Sequence, residues 1–219
     1  MPTDTERQTG TTGGNVVYTP KTYTGFTYQS GLTKINGAQQ LTGTIDAAGT
    51  TVVKLYYKRE RYNVNFSVDG SSGGSISATA VTGGSVTSTS PVTVKHGGSV
   101  TFTASPDTAN GYEVENWTGA TATPPNSTTA TLSNVTAPVT VTVKFKKKPY
   151  EVRFKVEGGI GGSLKGEYNG TPAQTETTTG STVKTLTVSY GGNVTFTAQP
   201  STRYAVQSWT VSSGNFTSG

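Results

Sequence analysis

The sequence contains no cysteine and only one histidine, His96, in 219 residues. The lack of cysteine excludes the disulfides on which many small secreted domains depend, and it excludes thiolate metal ligands. A lone histidine before a Gly-Gly turn is more typical of a surface position than of a general base or a metal ligand. The twelve acidic residues are scattered, and the closest pair, Glu113 and Glu115, is interpreted as a solvated strand face. We therefore predict no catalytic residues, no metal and no cofactor, and we do not expect an enzyme.

Hydrophobic residues are also scarce, at 31% of the chain, and no run approaches the roughly eighteen apolar residues of a membrane helix. Membrane insertion is therefore not expected. No stretch carries a sustained 3.6-residue apolar period, whereas Thr, Val and Tyr recur in strand-like alternation. We predict an all-β or β-rich fold of tandem small modules in a line, β-grasp-like, with at most one short helix per module. The one candidate helix lies around residues 32–40.

Two similar junctions divide the chain. In each, an alternating apolar run ends in a short basic cluster, and a Tyr then opens a second run of the form Tyr-x-Val-x-Phe-x-Val, at Tyr62 and again at Tyr150. Charged links of about four residues leave consecutive modules little freedom. The junctions predict four segments, namely a flexible lead-in of residues 1–14, a first module of 15–61, and two repeats of 62–149 and 150–219.

The two repeats are copies of one another. Residues 97–106 match residues 191–200, and Tyr112-x-Val114-x-x-Trp117 matches Tyr204-x-Val206-x-x-Trp209. Each copy holds a single Trp at the same place, so Trp117 and Trp209 are predicted to be structural anchors of the two cores. The first copy continues into an alternating run at residues 139–145 that the second copy does not contain. We therefore expect residues 150–219 to lack their last strand, leaving an open sheet edge at which copies could exchange strands.

Three ordered motifs in the repeats carry a family resemblance: Tyr-x-Val-x-Phe, Gly-Gly-x-Val-x-Phe-x-Ala-x-Pro and, at residues 111–117, Gly-Tyr-x-Val-x-x-Trp. Residues 62–149 and, less completely, 150–219 resemble the divergent internalin-type B-repeats of bacterial secreted and surface proteins. In the second copy Arg203 replaces the glycine at position 111, so that turn is expected to differ.

The first module resembles the mucin-binding (MucBP-like) repeats of Gram-positive surface proteins over residues 9–60. The matching features are Thr9-Gly10, Tyr23-x-Gly25-Phe26-x-Tyr28 and Gly49-x-x-Val52-x-x-Leu55-Tyr56-Tyr57. The resemblance implies a β-grasp fold in a cell-wall adhesin and supplies no ligand residues.

These observations favour a non-enzymatic segment of a secreted, cell-surface bacterial adhesin that acts as a stiff modular stalk or spacer. One alternative is a glycan- or mucin-binding module in residues 15–61, and another is an accessory region of a surface hydrolase. Strand alternation would place Tyr23 and Tyr28 on opposite faces, so some aromatic side chains should be exposed to sugar rings. The candidate contacts are Tyr23, Phe26, Tyr28 and Tyr56.

Much of the positive charge of the chain, whose net charge is +5, lies in two bands at residues 54–61 and 144–155. Such bands could attract host glycans or wall polyanions. Alternatively, lysines at strand ends and edges block edge-to-edge pairing. Nucleic acid is not expected as a partner, because a surface dedicated to it usually interleaves exposed aromatic residues with basic ones.

Overall fold

The computed structural model describes residues 3–70 and 72–212. Within these ranges it contains seventeen β-strands, three short 3-10 turns and no α-helix. The β-rich class, with several small sheets and at most one short helical turn per module, is therefore confirmed. The chain divides into two compact units, one comprising residues up to Pro106 with Val114–Phe145, the other comprising Asp107–Glu113 with residues from Lys146 onward.

The first module is built from very short strands. β1 pairs antiparallel with β5, and β2 pairs with both β3 and β4. A 3-10 turn at Ser30–Leu32 separates the two small sheets, and Thr33 and Ile35 are the residues buried beneath them. The strands are β1 (Phe26–Tyr28), β2 (Lys34–Ile35), β3 (Ala38–Gln39), β4 (Val53–Lys54) and β5 (Tyr57–Arg59).

The helix expected around residues 32–40 is wrong, because a hairpin occupies that stretch. Asn36 and Gly37 both have positive φ, at 48° and 86°. Two such residues form the tight turn whose twist matches an antiparallel strand pair. Ile35 accordingly pairs with Ala38 in the β2–β3 hairpin. The Asn-Gly turn signal therefore outweighed the weak helical tendency of its neighbours.

The described residues of the lead-in make specific contacts with the first module. The Gly13 amide donates to the Ile45 carbonyl at 2.9 Å, and the Ile45 amide donates to the Gly14 carbonyl at 2.8 Å. The Lys21 ammonium forms ion pairs with Asp4, at 2.7 Å, and with Glu6. Backbone pairing with residues 43–45 thus holds this segment against the first module.

The first repeat forms two sheets. A four-stranded sheet has the order β10-β12-β6-β8, and a three-stranded sheet has the order β11-β9-β7. β12 runs parallel to β6, whereas β8 with β6, β7 with β9 and β11 with β9 are antiparallel. The strands are β6 (Arg61–Asp69), β7 (Gly74–Val81), β8 (Val92–Lys95), β9 (Gly98–Pro106), β10 (Tyr112–Thr118), β11 (Thr129–Val135) and β12 (Val139–Lys147).

The core of the first repeat follows directly from its period-two pattern. Val64 and Phe66 on β6 point inward while their neighbours are exposed, as alternation along a strand requires. Phe66 meets Phe102 of the second sheet, with ring centroids 5.5 Å apart. Val141 and Val143 on β12 are fully buried beside them. The two inner faces thus form one apolar layer between the sheets.

The second repeat reproduces two of the strand pairings of the first and adds β15 at the edge of β14. β13 pairs with β16 as β6 does with β8, and β14 pairs with β17 as β7 does with β9. Its strands are β13 (Pro149–Phe154), β14 (Gly162–Tyr168), β15 (Gln174–Thr179), β16 (Lys184–Ser189) and β17 (Val194–Pro200). The buried cluster consists of Phe154, Leu164, Tyr168, Leu186 and Val188.

After β17 the two repeats differ. Residues 201–212 contain turns and irregular backbone, whereas the equivalent part of the first repeat forms β10. β10 lies beside β12 in its sheet, and no strand in the described part of the second repeat takes the place of β12. The counterpart of β10 therefore lacks the neighbour that holds it in the sheet.

Candidate functional site

The aromatic residues of the first module gather around Tyr57. The Tyr57 ring lies 5.0 Å from the Tyr23 ring in an edge-to-face contact and 5.7 Å from the Tyr28 ring. The expectation that Tyr23 and Tyr28 lie on opposite faces is therefore wrong. Gly25 has a φ of 74°, and the Phe26 amide donates to the Tyr23 carbonyl at 3.0 Å. A turn thus interrupts the expected strand and folds Tyr23 back toward Tyr28.

The four predicted glycan contacts are not equally accessible. Tyr23, Phe26 and Tyr28 are half-buried, whereas Tyr56 is exposed, with 38% of its surface accessible. The Tyr28 hydroxyl is already engaged with the Thr33 hydroxyl. Their role as sugar contacts stays a prediction.

A shallow groove of about 420 Å³ runs along the first module. Of the four predicted contacts only Tyr28 lines it, beside Tyr18. The Tyr18 hydroxyl donates to the Leu41 carbonyl at 3.2 Å, and the side chains of Val17 and Leu41 are exposed. The lining residues are Val16, Val17, Tyr18, Pro20, Tyr28, Ser30 and Leu41.

The polar atoms of this groove are neutral. The hydrogen bond with the Tyr28 side chain, followed by burial, raises the pKa of Tyr18 above its usual value of 10.0. The Tyr18 phenol therefore keeps its proton at physiological pH, and a phenol hydroxyl can donate or accept a hydrogen bond. Apolar side chains with two phenol hydroxyls are suited to an uncharged ligand such as a sugar ring.

The two tryptophans occupy different environments. Trp117 is half-buried on β10, and its indole Nε1 donates to the Ser127 carbonyl at 2.8 Å. Trp209 lies in irregular backbone with 44% of its surface exposed. Trp117 lies in a strand, whereas the described residues around Trp209 form none, and the role of both tryptophans as core anchors stays a prediction.

The most distinctive geometry in the first unit surrounds Gly25. The Glu60 amide donates to the Gly25 carbonyl at 2.8 Å, and the His96 amide donates to the Glu60 carbonyl at 2.9 Å. The imidazole of His96 lies directly over Gly25, where a Cβ atom would overlap its ring. The Arg59 guanidinium closes the arrangement by donating to the His96 carbonyl. We refer to residues 23–26 as the first docking turn.

The same arrangement recurs in the second unit around Gly111. The Lys148 amide donates to the Gly111 carbonyl at 2.8 Å, and the Tyr190 amide donates to the Lys148 carbonyl at 2.9 Å. The Tyr190 ring lies over Gly111, where a Cβ atom would overlap it. Its hydroxyl donates to the Ala109 carbonyl at 3.2 Å. We refer to residues 108–112 as the second docking turn.

Both docking turns place a glycine with left-handed backbone beneath a ring. The φ angles of Gly25 and Gly111 are 74° and 72°. Each covering ring also meets the tyrosine that opens the following run, with centroid distances of 5.9 Å for Tyr62 with His96 and 6.2 Å for Tyr150 with Tyr190. The hydrogen bonds at each turn are made by backbone atoms. The turn therefore requires only that the residue beneath the ring, Gly25 or Gly111, has no side chain.

His96 and its neighbours therefore form a structural group. The Tyr62 hydroxyl donates to the Glu60 carboxylate at 2.6 Å and lies 3.4 Å from Nδ1 of His96. Hydrogen bonds from Tyr62 and then Thr27 lower the pKa of the Glu60 carboxyl. Within residues 3–70 and 72–212, no three His, Asp or Glu side chains lie close enough together to hold a metal ion.

The basic bands are largely engaged by neighbouring groups. Lys144 pairs with Glu115 at 3.1 Å, and Lys146 pairs with Glu113 at 3.7 Å. Lys147 donates to the Asn110 carbonyl at 2.6 Å. The two glutamates that stand closest in sequence thus serve as ion-pair partners of lysines on the adjacent strand. Polyanion binding by these bands stays a prediction.

One comparison with known proteins gives a match. Residues 74–149 fit the family model of the divergent InlB B-repeat domain. This part of the chain is therefore similar to a bacterial repeat domain of a type found in surface proteins. No curated protein and no solved structure matches the chain. No helix in the described residues is long and apolar enough to cross a membrane.

Reasoning from the sequence missed the docking turns, although their signal is visible in it. In both turns the glycine precedes an aromatic residue, as in Gly25-Phe26 and Gly111-Tyr112. Each covering ring, His96 or Tyr190, precedes a Gly-Gly pair. The sequence predicts a surface position for His96, whereas the structure shows that His96 and Tyr190 each supply a flat ring over a glycine.

Proposed function

We propose that this chain is a non-enzymatic spacer segment of a secreted bacterial surface protein of the adhesin class. The observation that carries the proposal is the recurrence of one docking geometry around Gly25 and around Gly111. A side-chain-free turn that accepts backbone hydrogen bonds can join modules whose surfaces otherwise differ in sequence. The match of residues 74–149 to a repeat typical of bacterial surface proteins supports the same role.

The docking turns would serve a spacer by fixing where each new repeat begins. Glu60 immediately precedes β6, and Lys148 immediately precedes β13. Each donates its amide to the glycine of a docking turn and accepts an amide from the covering ring residue. The entry of the chain into the next sheet is thereby held by two backbone hydrogen bonds, without a disulfide.

Surface display tests the spacer role. The full chain is placed between a cell-wall anchor and a peptide tag, and antibody binding to the tag is compared with that of the anchor alone. A Gly/Ser-rich linker of equal length is the matched control, because it adds reach without structure. The proposal expects the folded chain to present the tag to antibody better than either comparison. Equal presentation by the flexible linker would contradict it.

Glycan or mucin binding at the groove is the second candidate, favoured by the exposed Val17 and Leu41 beside the two phenols of Tyr18 and Tyr28. A glycan and mucin array probed with the full chain tests it. Leu41→Asp should abolish binding, because a carboxylate would replace an apolar contact. Val86→Asp, at an exposed position outside the groove, is the control and should bind normally. Binding that survives Leu41→Asp would show that the glycan site lies elsewhere. If the wild-type chain binds no glycan, the spacer role is the one proposed function that remains.

A further inference from the structure

A third turn of the same kind lies at residues 201–204. Arg203 has a φ of 71°, close to the value at Gly25. The Tyr204 amide donates to the Ser201 carbonyl at 2.9 Å, as the Phe26 amide does to the Tyr23 carbonyl in the first docking turn. Phe26, Tyr112 and Tyr204 are the aromatic residues that follow the left-handed position in the three turns. The second repeat thus retains the backbone form of a docking turn.

The third turn differs in the residue at its left-handed position. Gly25 and Gly111 are buried beneath their covering rings, whereas Arg203 is exposed. A non-glycine residue is disfavoured in this conformation because its Cβ crowds the backbone. The third turn has therefore kept the left-handed backbone, but the Arg203 side chain occupies the space that a glycine leaves for a ring at the other two turns.

The overlap at the other two turns shows what Arg203 would do to a covering ring. At Gly25 a Cβ atom would collide with the His96 imidazole, and at Gly111 it would collide with the Tyr190 ring. The collision is with Cγ of each ring, so relieving it requires a rotation about the Cα–Cβ bond that moves the whole ring off the turn. An arginine also adds a charged guanidinium that burial beneath a ring would desolvate.

We propose that Arg203 closes the third docking turn to the covering ring of a following module. The turns at Gly25 and Gly111 accept a ring, and the turn at residues 201–204 does not. A module that followed the second repeat would have to be coupled by contacts of another kind. The inference rests on the geometry of the turns and holds whether or not the chain acts as a spacer.

The test transfers the arginine into an occupied turn of the full chain. In Gly111→Arg, the amides of Lys148 and Tyr190 should exchange with solvent at least about tenfold faster, because the docked state that protects them is lost. Amides of β14 and β17 report whether the repeat itself remains folded. Gly158→Arg is the matched control, since Gly158 has a φ of 75° with no atom near its Cβ position. It should leave the exchange at positions 148 and 190 unchanged.

A variant that lacks the Tyr190 ring distinguishes overlap between the arginine and the ring from strain in the left-handed backbone. In the double variant Gly111→Arg with Tyr190→Ala, the arginine should cause much less additional loss of protection at Lys148 than it causes in the presence of Tyr190. Should Gly111→Arg unfold the repeat, Gly25→Arg with the amides of Glu60 and His96 provides the same measurement in the first unit. Wild-type protection in Gly111→Arg would overturn the proposal. So would equal acceleration in Gly158→Arg, which would attribute the effect to backbone strain alone.

Discussion

At the residue scale, the absence of a side chain is as specific as its presence. Gly25 and Gly111 each lie beneath a ring that leaves no room for a Cβ atom. Arg203 has a similar φ angle, but its side chain leaves no space for a ring. The sequence shows a glycine in each place but not what covers it, because the covering ring comes from a distant strand end. Replacement of the glycine by Arg203 in the second copy was visible in the sequence, and its consequence required the structure.

The two tryptophans give a matched pair of substitutions. Trp117→Ala should lower the free energy of unfolding of its repeat by about 3 kcal/mol, because it removes a large half-buried ring and leaves the Ser127 carbonyl without its donor. Trp209→Ala should cost less than about 1 kcal/mol, because the side chain is exposed. Chemical denaturation of the full chain, followed by hydrogen exchange in each repeat, measures both. Equal costs would show that Trp209 is packed in solution.

Glu60 should make the stability of the first unit depend on pH. Hydrogen bonds from Tyr62 and Thr27 lower its pKa in the folded state below the reference value of 4.5. A depressed carboxyl pKa contributes stability above the unfolded-state value, and this contribution is lost as pH falls through the folded-state value. Between pH 6 and acid, the denaturation midpoint should therefore fall more in wild type than in Glu60→Gln. Glu157→Gln, at a highly exposed position, should follow the wild-type curve.

At the scale of the element, the predictions succeeded where strands are long. The runs opening at Tyr62 and at Val139 became β6 and β12, because six or more alternating residues define a buried face. The first module has strands of two or three residues, which are too short to show a period. There the turns decide the fold, and left-handed residues such as Gly25 and Asn36 broke stretches expected to be continuous.

The hairpin at Asn36-Gly37 offers a direct test of that conclusion. Gly37→Ala should destabilise the first module by about 1 kcal/mol, since an alanine disfavours the left-handed angle that the turn requires. Gly31→Ala is the control, because a Cβ there meets no atom and its backbone is not left-handed. The control should be neutral or slightly stabilising. If thermal melting shows the same change for both variants, the turn does not determine this part of the fold.

At the scale of the whole molecule, the β cores of the chain are unequal in size, and most of the buried hydrophobic residues belong to the first repeat. The buried cluster of the second repeat has five members, and cores of this size give marginal stability. The sequence supports no catalytic role, and the proposed function includes none. The candidate groove involves only one of the four predicted aromatic contacts, Tyr28. The groove depends on how Tyr18 approaches Leu41, a pairing of distant residues that no local pattern encodes.

Supplying the second repeat with a partner strand should organise residues 204–209. In the first repeat β10 is a neighbour of β12, whereas in the second repeat the matching residues Tyr204, Val206 and Trp209 are exposed. Inserting a copy of residues 118–145 directly after Trp209 provides the equivalent of β11 and β12. In a Trp117→Phe background, the emission of Trp209 should shift to the blue as its ring leaves water, and the second repeat should melt at a higher temperature. The control insert carries Asp in place of the copied Val141 and Val143, whose apolar faces would have to be buried. The same emission from both inserts would mean that the strand does not pair there, and that the two repeats are less alike than their sequences indicate.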